Sequence, residues 1–198
     1  MDAATTLDLL DWKRRVGALY AEVRAADDPA TAWRRWRETR DELFRAHPQS
    51  PRPGHAALRY WDYDPSARVL AELEDAEAEA APLETSGAGA IRFRRVARAR
   101  FELHGEPLVL DVHWLDAYGG GLFLPFRDAT SGRESYGGGR YLLDTVKGAD
   151  LGADGARLVL DFNFSYHPSC AYDPRWVCPL APPGNRLAVA VEAGERLA

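Results

Sequence analysis

Cysteine is scarce in this chain, and so are long apolar runs and net positive charge. Only two cysteines, Cys170 and Cys178, occur in 198 residues. They are too few to staple a domain of this size, so the fold must rest on a buried core. No stretch is apolar enough or long enough to span a bilayer, which removes a membrane from the expected partners. The N-terminus, MDAATTLDLLDWKRR, places acids ahead of its basic residues and has no apolar h-region, which excludes a signal peptide. A cytoplasmic protein follows, with thiols kept reduced unless a site uses them. The net charge of −5 argues against a nucleic-acid partner, which needs a basic face.

What is present is an ordinary globular composition, 46% hydrophobic and 28% charged. One domain over 1–198 is expected, with a helical part at 1–47 and a β-rich part at 57–198; a homodimer is compatible with this. A chain of this length buries roughly 70% of its unfolded surface. Charge comes in blocks: 14–59 is arginine-rich, 72–84 acidic and 92–100 basic. Neighbouring blocks of opposite sign make solvated, mutually paired faces more readily than a partner site. The basic positions are almost all arginine, as a codon-usage bias would give.

Two helices open the chain. Thr5-Thr6-Leu7-Asp8 fits a capping-box start, and Leu9, Trp12, Val16, Leu19, Tyr20 and Val23 recur at helical steps. Asp28-Pro29 starts the second helix, Trp33, Trp36, Leu43 and Phe44 form its apolar stripe, and His47-Pro48 ends it. Residues 48–54 read as an extended connection. After a turn at Asp64-Pro65-Ser66, Val69, Ala71 and Leu73 alternate as a half-buried strand. The run 74–89 (EDAEAEAAPLETSGAG) reads as an exposed turn or a short frayed helix.

A hairpin follows. Ile91, Phe93, Ala97, Ala99, Phe101 and Leu103 fall on one strand face, and Leu108, Leu110, Val112 and Trp114 repeat it after a Gly105-Glu106-Pro107 turn. The expected register sets Leu103 opposite Leu108 and Arg100 opposite Asp111. Arg95 breaks the pattern and marks a bulge or a strand end. Further strands are expected at 121–127, where Pro125 demands an edge or a bulge, and at 136–143, 157–163 and 187–191. The fold class is therefore α+β: a mainly antiparallel β-barrel or rolled sheet with the two helices packed outside.

The long stretch 161–185, DFNFSYHPSCAYDPRWVCPLAPPGN, holds both cysteines and five of the thirteen prolines. Ordered loops of this length inside compact domains are often functional. Three chemistries can be weighed there. Cys170, Cys178 and His167, with His113, are zinc-type ligands, but a Cys-x7-Cys spacing is a weak signal and no metal is assigned. Cys170 near His167 and Asp161 supplies the residue types of a nucleophilic triad, against a thiol packed as a small hydrophobe or a short-range disulfide. A polar pocket at one end of the barrel ranks first. Asp161 is its general base and Arg140 its anion holder, with Asp128, Thr130, Tyr136, Asn163, Tyr166, Tyr172 and Asn185 lining it around an unidentified small molecule. The structural alternative has Asp128 capping its turn, Arg140 paired with Asp161, and Asn185 tying the loop down. Gly137-Gly138-Gly139 reads as a bulge, since no helix follows to make a phosphate loop.

An enzyme using carboxylate and arginine chemistry stands slightly above a pure binding module. A protein-interaction domain using the tryptophan-bearing helices is the third reading. No residue set matches a known catalytic signature.

The motifs PFRDATSGRESYGGGRYL, LVLDFNFSYHPSCAY, CPLAPPGN and AGER resemble the bacterial and archaeal family of domain of unknown function 1684, over roughly 37–196. That resemblance marks Asp128, Thr130, Gly132, Tyr136, Gly139, Arg140, Asp161, Asn163, Tyr166, Pro168, Cys170, Tyr172, Cys178, Pro179, Asn185 and Glu195. It implies no activity. At His167 the family pattern has asparagine.

Overall fold

The computed structural model describes residues 2–54 and 57–197, so Met1 and Ala198, the ends of the span assigned above, lie outside the described residues. Helix α1 (Ala3–Ala25) starts earlier than its Thr5-Thr6 signal predicts, because the Asp2 carboxylate takes the Thr5 N–H at 2.8 Å and caps it. Helix α2 (Pro29–Ala46) begins and ends as read: Asp28 accepts from Ala30 and Thr31, and His47 caps the end. Residues 48–54 are turns, not an extended connection, pinned by Ser50 N to His47 O and Gly54 N to Arg45 O.

A seven-stranded antiparallel sheet carries the rest, in the order β6 (Arg140–Asp144), β5 (Leu122–Phe126), β4 (Glu106–Leu115), β3 (Ala90–Leu103), β2 (Arg68–Glu84), β8 (Arg157–Asp161), β7 (Ala153–Asp154). It is not a closed barrel. The edge strand β6 meets the chain beyond β8 through a single Tyr141–Tyr166 bridge rather than a ladder. A separate two-stranded ladder joins β1 (Arg59–Tyr60) to β9 (Glu195–Arg196).

The stretch 74–89 departs most from its reading. Most of it continues β2, whose acidic residues face the basic ones of β3: Glu72 opposes Arg100, Glu74 opposes Arg98 and Glu79 opposes Arg95. Arg95 reaches Glu79 at 2.9 Å, and Arg100 pairs with Glu74. The opposed charge blocks are thus paired faces, as expected, and cross-strand pairing holds a strand with few apolar residues.

The β3–β4 hairpin turns tighter than predicted. His104 and Gly105 both have positive φ (54° and 82°), which makes a two-residue primed turn. The register moves by two: Phe101 opposes Leu108, Ala99 opposes Leu110, and Arg98, not Arg100, opposes Asp111. A slip of two keeps every side chain on its expected face. The irregularity at Arg95 is present between Arg95 and Ala97, and Pro125 sits at a register shift inside β5. Two expectations fail. Gly137–Gly139 form a turn before β6 rather than a bulge, with Gly139 N bonded to Tyr136 O. Residues 187–191 form no strand; Leu187 N and Ala129 N bond singly across to Arg127 O and Val189 O, and the Val191 amide goes to a side chain.

The core lies between the helices and the inner face of the sheet. Trp36 is fully buried and meets Phe164 edge-on at 5.4 Å, while Trp33 donates its indole N–H to Asn163 O. Of the three tryptophans on the helices read as a partner surface, Trp33 and Trp36 therefore face the protein's own interior, and Trp12 is half-buried. Among the described residues, no helix is long and apolar enough to cross a membrane.

Candidate functional site

The structure separates the pocket residues into distinct sets. Arg140 is the hub of the first. Leucine and aromatic neighbours make β6 a buried strand, so its first residue carries a guanidinium into the core, sandwiched between Trp61 and Phe126 at 5.0 Å each. Its Nη2 donates to Asp128 Oδ2 at 3.1 Å and to Val191 O at 2.8 Å, and Nη1 donates to Ala193 O. Burial pulls Arg140 down to about 10, with Asp128 and Glu195 opposing, so it stays charged at neutral pH. Asp128 also accepts from Thr130, Ser131 and the Val191 amide. Arg140 thus pairs with Asp128 and not with Asp161, and this set braces the C-terminal segment.

Asp161 and Asn163 form the second set, on the end of β8 and the 3-10 turn after it. Asp161 accepts from the backbone and side-chain N–H of Asn163 at 3.1 and 2.9 Å, and Arg68 Nε lies 3.9 Å away. Asn163 also exchanges both amide bonds with the Asp64 backbone. Asp161 borders a small cavity of about 70 Å³ beside Arg24, Pro29 and Arg68. Burial raises its carboxyl to about 6, the Asn163 hydrogen bonds opposing. Among the described residues, no hydrogen bond or ion pair joins this set to Arg140, and the two are not brought together as one pocket.

Asn185 is structural in both directions. Its Oδ1 takes the Asp111 N–H, and its Nδ2 donates to Asp111 O and Pro125 O, which staples the proline-rich loop to β4 and β5. The Asp128 turn and the Asn185 tie were both anticipated in the structural alternative. Tyr136 and Cys170 form another group, Sγ to Oη 3.8 Å. The triad is not assembled: His167 accepts the Tyr136 N–H at 3.2 Å through Nε2, and Asp161 bonds elsewhere. Among the described residues no three of His, Cys, Asp and Glu converge on a metal position, so Cys170, Cys178, His167 and His113 are not gathered as one.

The remaining candidates, Tyr166 and Tyr172, lead to a centre that the sequence reading missed. Glu195 is fully buried; its Oε2 accepts from Arg40 at 2.8 Å and from the His167 amide at 2.9 Å, and Tyr172 donates to Oε1. Arg40 lies over Trp36, Phe44 and Tyr166. Burial holds His167 down to about 4, so its ring is neutral. The family pattern marks Glu195, but its partner Arg40 stands 155 positions away on α2, and no local signal connects them.

On the outer side of Tyr172 a cleft of about 600 Å³ opens between the β1–β9 ladder and the 161–185 loop. Arg52, Arg59, Arg196, His167 and Tyr172 line it, and a neighbouring cleft adds Arg37. Arg59 and Arg196 stand directly opposite in the ladder. Arg52 stacks on Tyr172, Arg196 on Trp61, and Arg37 on Trp33 and Tyr60. Among the described residues, no carboxylate pairs with any of the four arginines; the nearby ion pair is Arg40 with Glu195.

No curated protein matches this sequence. The fold is similar to the solution NMR structure of an uncharacterized protein from Haloarcula marismortui, at 38% identity and a TM-score of 0.60, covering 84% of this chain and 93% of that one. The model of the family described as protein of unknown function, DUF1684, matches residues 54–196. The chain therefore belongs to the DUF1684 family.

Proposed function

We propose that this protein binds a small, multiply anionic molecule, a carboxylate or phosphate compound, in the arginine-lined cleft under the 161–185 loop. The observation that carries the reading is the Arg59–Arg196 pair. Like charges directly opposed across two strands destabilise a ladder, and here a third arginine faces the same space without a carboxylate partner among the described residues. The guanidinium carbons of Arg52 and Arg196 lie over Tyr172 and Trp61, 6.0 and 5.6 Å from the ring centroids, and their N–H groups can make a forked contact with an oxyanion. Tyr172 joins the cleft to the buried Glu195–Arg40 pair, so the wall is held rigid from behind. The function we propose is ligand binding; among the described residues, no nucleophile with its base lines the cleft.

Calorimetric titration with inorganic phosphate and with citrate tests it. Binding that weakens with added salt, and falls roughly tenfold to a hundredfold in Arg59→Gln and Arg196→Gln with unchanged melting, is the expected result. No heat from either probe at low ionic strength, or equal binding by the variants, would overturn it.

A further inference from the structure

A second cavity, of about 60 Å³, lies between α1, α2 and the first part of the 161–185 loop, and His167 lines both it and the cleft. The anion reading gives this cavity no task. We propose that it binds one small uncharged carbonyl compound, a ketone, ester or amide with a short apolar body, whose oxygen accepts hydrogen bonds from Tyr20, Trp36 and Arg40.

The head group follows from the donors. Three side chains around the cavity hold a buried polar atom with no hydrogen-bond partner among the described residues: Tyr20 Oη, Trp36 Nε1 and Arg40 Nε. Tyr20 and Trp36 are 2% and 0% exposed. A buried donor without an acceptor bears the full cost of its lost hydration, and such atoms are rare in a folded protein. Indole and guanidinium N–H groups only donate, and a phenol keeps its proton at neutral pH. Arg40 is held at this wall by three rings that also line the cavity: its guanidinium carbon lies 5.0 Å from the ring centroid of Trp36, 5.1 Å from Phe44 and 4.8 Å from Tyr166. Its Nη2 is committed to Glu195, which leaves Nε.

The neutral charge follows from the ion pairs. Both cations on the wall are already matched, Arg40 by Glu195 at 2.8 Å and Lys147 by Asp144 at 3.1 Å. An anion brought in would lose its hydration and find no free counter-ion. A cation fares no better, because among the described residues no carboxylate lines the cavity. The apolar body follows from Val16, Leu19, Leu43 and Phe44, which supply the rest of the wall. The volume sets the size, at about four to six water-sized groups.

The test is a titration of ¹⁵N-labelled protein with butanone and with propionate, which share a shape and differ in charge. The Trp36 Nε1–H and Arg40 Nε–H resonances are followed. Both should move together and saturate at millimolar butanone, while propionate should bind at least about tenfold more weakly. Tyr20→Phe removes one donor; it should melt no lower than wild type and bind butanone roughly fivefold more weakly. Resonances that butanone leaves unmoved, or that drift in proportion to its concentration without saturating, would overturn the proposal. So would propionate binding as tightly as butanone, or undiminished butanone binding by Tyr20→Phe.

Discussion

Asp161→Asn should make this protein more stable at neutral pH. Asp161 is 2% exposed and its carboxyl is raised from 3.8 to about 6 by burial. For an acid raised on folding, the folded state holds its proton more tightly than the unfolded state does. Below about pH 4 both states are protonated and the residue costs nothing. Between pH 4 and 6 the unfolded chain ionises first, and stability falls as pH rises. Above pH 6 the whole penalty, about 3 kcal/mol, is in place. An asparagine keeps an acceptor for the Asn163 bonds and loses only the longer attraction to the part-exposed Arg68, worth about 1 kcal/mol or less. The variant should gain about 2 kcal/mol at pH 7, a shift of about 1 M in the urea midpoint, and the gain should fade by pH 4. Urea unfolding of both proteins at half-unit steps from pH 4 to 7.5 measures it. A variant less stable than wild type at pH 7, or a difference that does not vary with pH, would refute the argument and show Asp161 to be a net-stabilising ion.

His167→Asn should do the opposite to the pH profile. Burial holds His167 down to about 4, so the unfolded chain takes up its proton first as pH falls from 6.5, and about 3 kcal/mol drains away by pH 4. The asparagine variant should lose that acid sensitivity, seen as a flatter melting temperature from pH 7 to 4.5. Arg140→Met leaves the Asp128 carboxylate buried and unpaired, and should cost about 3–5 kcal/mol in chemical unfolding. Adding Asp128→Asn to it should cost less than the sum of the two single changes, a coupling that a double-mutant cycle reads. Gly194→Ala should cost about 2 kcal/mol, since φ is +79° and the new Cβ would meet the Phe162 and Ser165 carbonyl oxygens at 2.7 and 2.6 Å; thermal melting measures that loss.

How much of this was legible in the sequence depended on the range of the interaction. Asp28-Pro29, Pro125 and the face pattern of β3 and β4 speak through local geometry, and each stands where it was read. The hairpin register needed the turn type, and His104 in the left-handed region was not foreseeable from a residue seldom placed there. Strand β2 was hidden because 74–81 alternates acid with alanine; its stability comes from arginines on another strand. The strand expected at 187–191 has the right alternation, but it makes only single backbone bonds at Leu187 and Val189, and the Val191 amide and carbonyl are claimed by Asp128 and Arg140, which period alone does not reveal. Of the candidate residues, Asp128, Thr130, Arg140, Asp161, Asn163 and Asn185 are at most 2% exposed, while Tyr136, Tyr166, Cys170 and Tyr172 are half-buried. Their convergence was inferred from a strand face lining one end of a barrel, and the open sheet sends them to different places. Arg52, Arg59 and Arg196, which line the open cleft, were passed over because arginine is abundant throughout.

The guanidinium of Arg140 has a consequence for how the chain lets go. Between Val191 and Glu195 the backbone is held mainly from outside a ladder: Arg140 donates to the carbonyls of Val191 and Ala193, Asp128 accepts from the Val191 amide, and single bonds join Trp61 N to Gly194 O and Glu195 N to Ser165 O. A ladder frays one rung at a time, but a clasp opens all at once. The tail bearing β9 should therefore exchange its amide hydrogens as one cooperative unit, and the Arg59–Arg196 face, built on β1 and β9, should exist only while that clasp is shut.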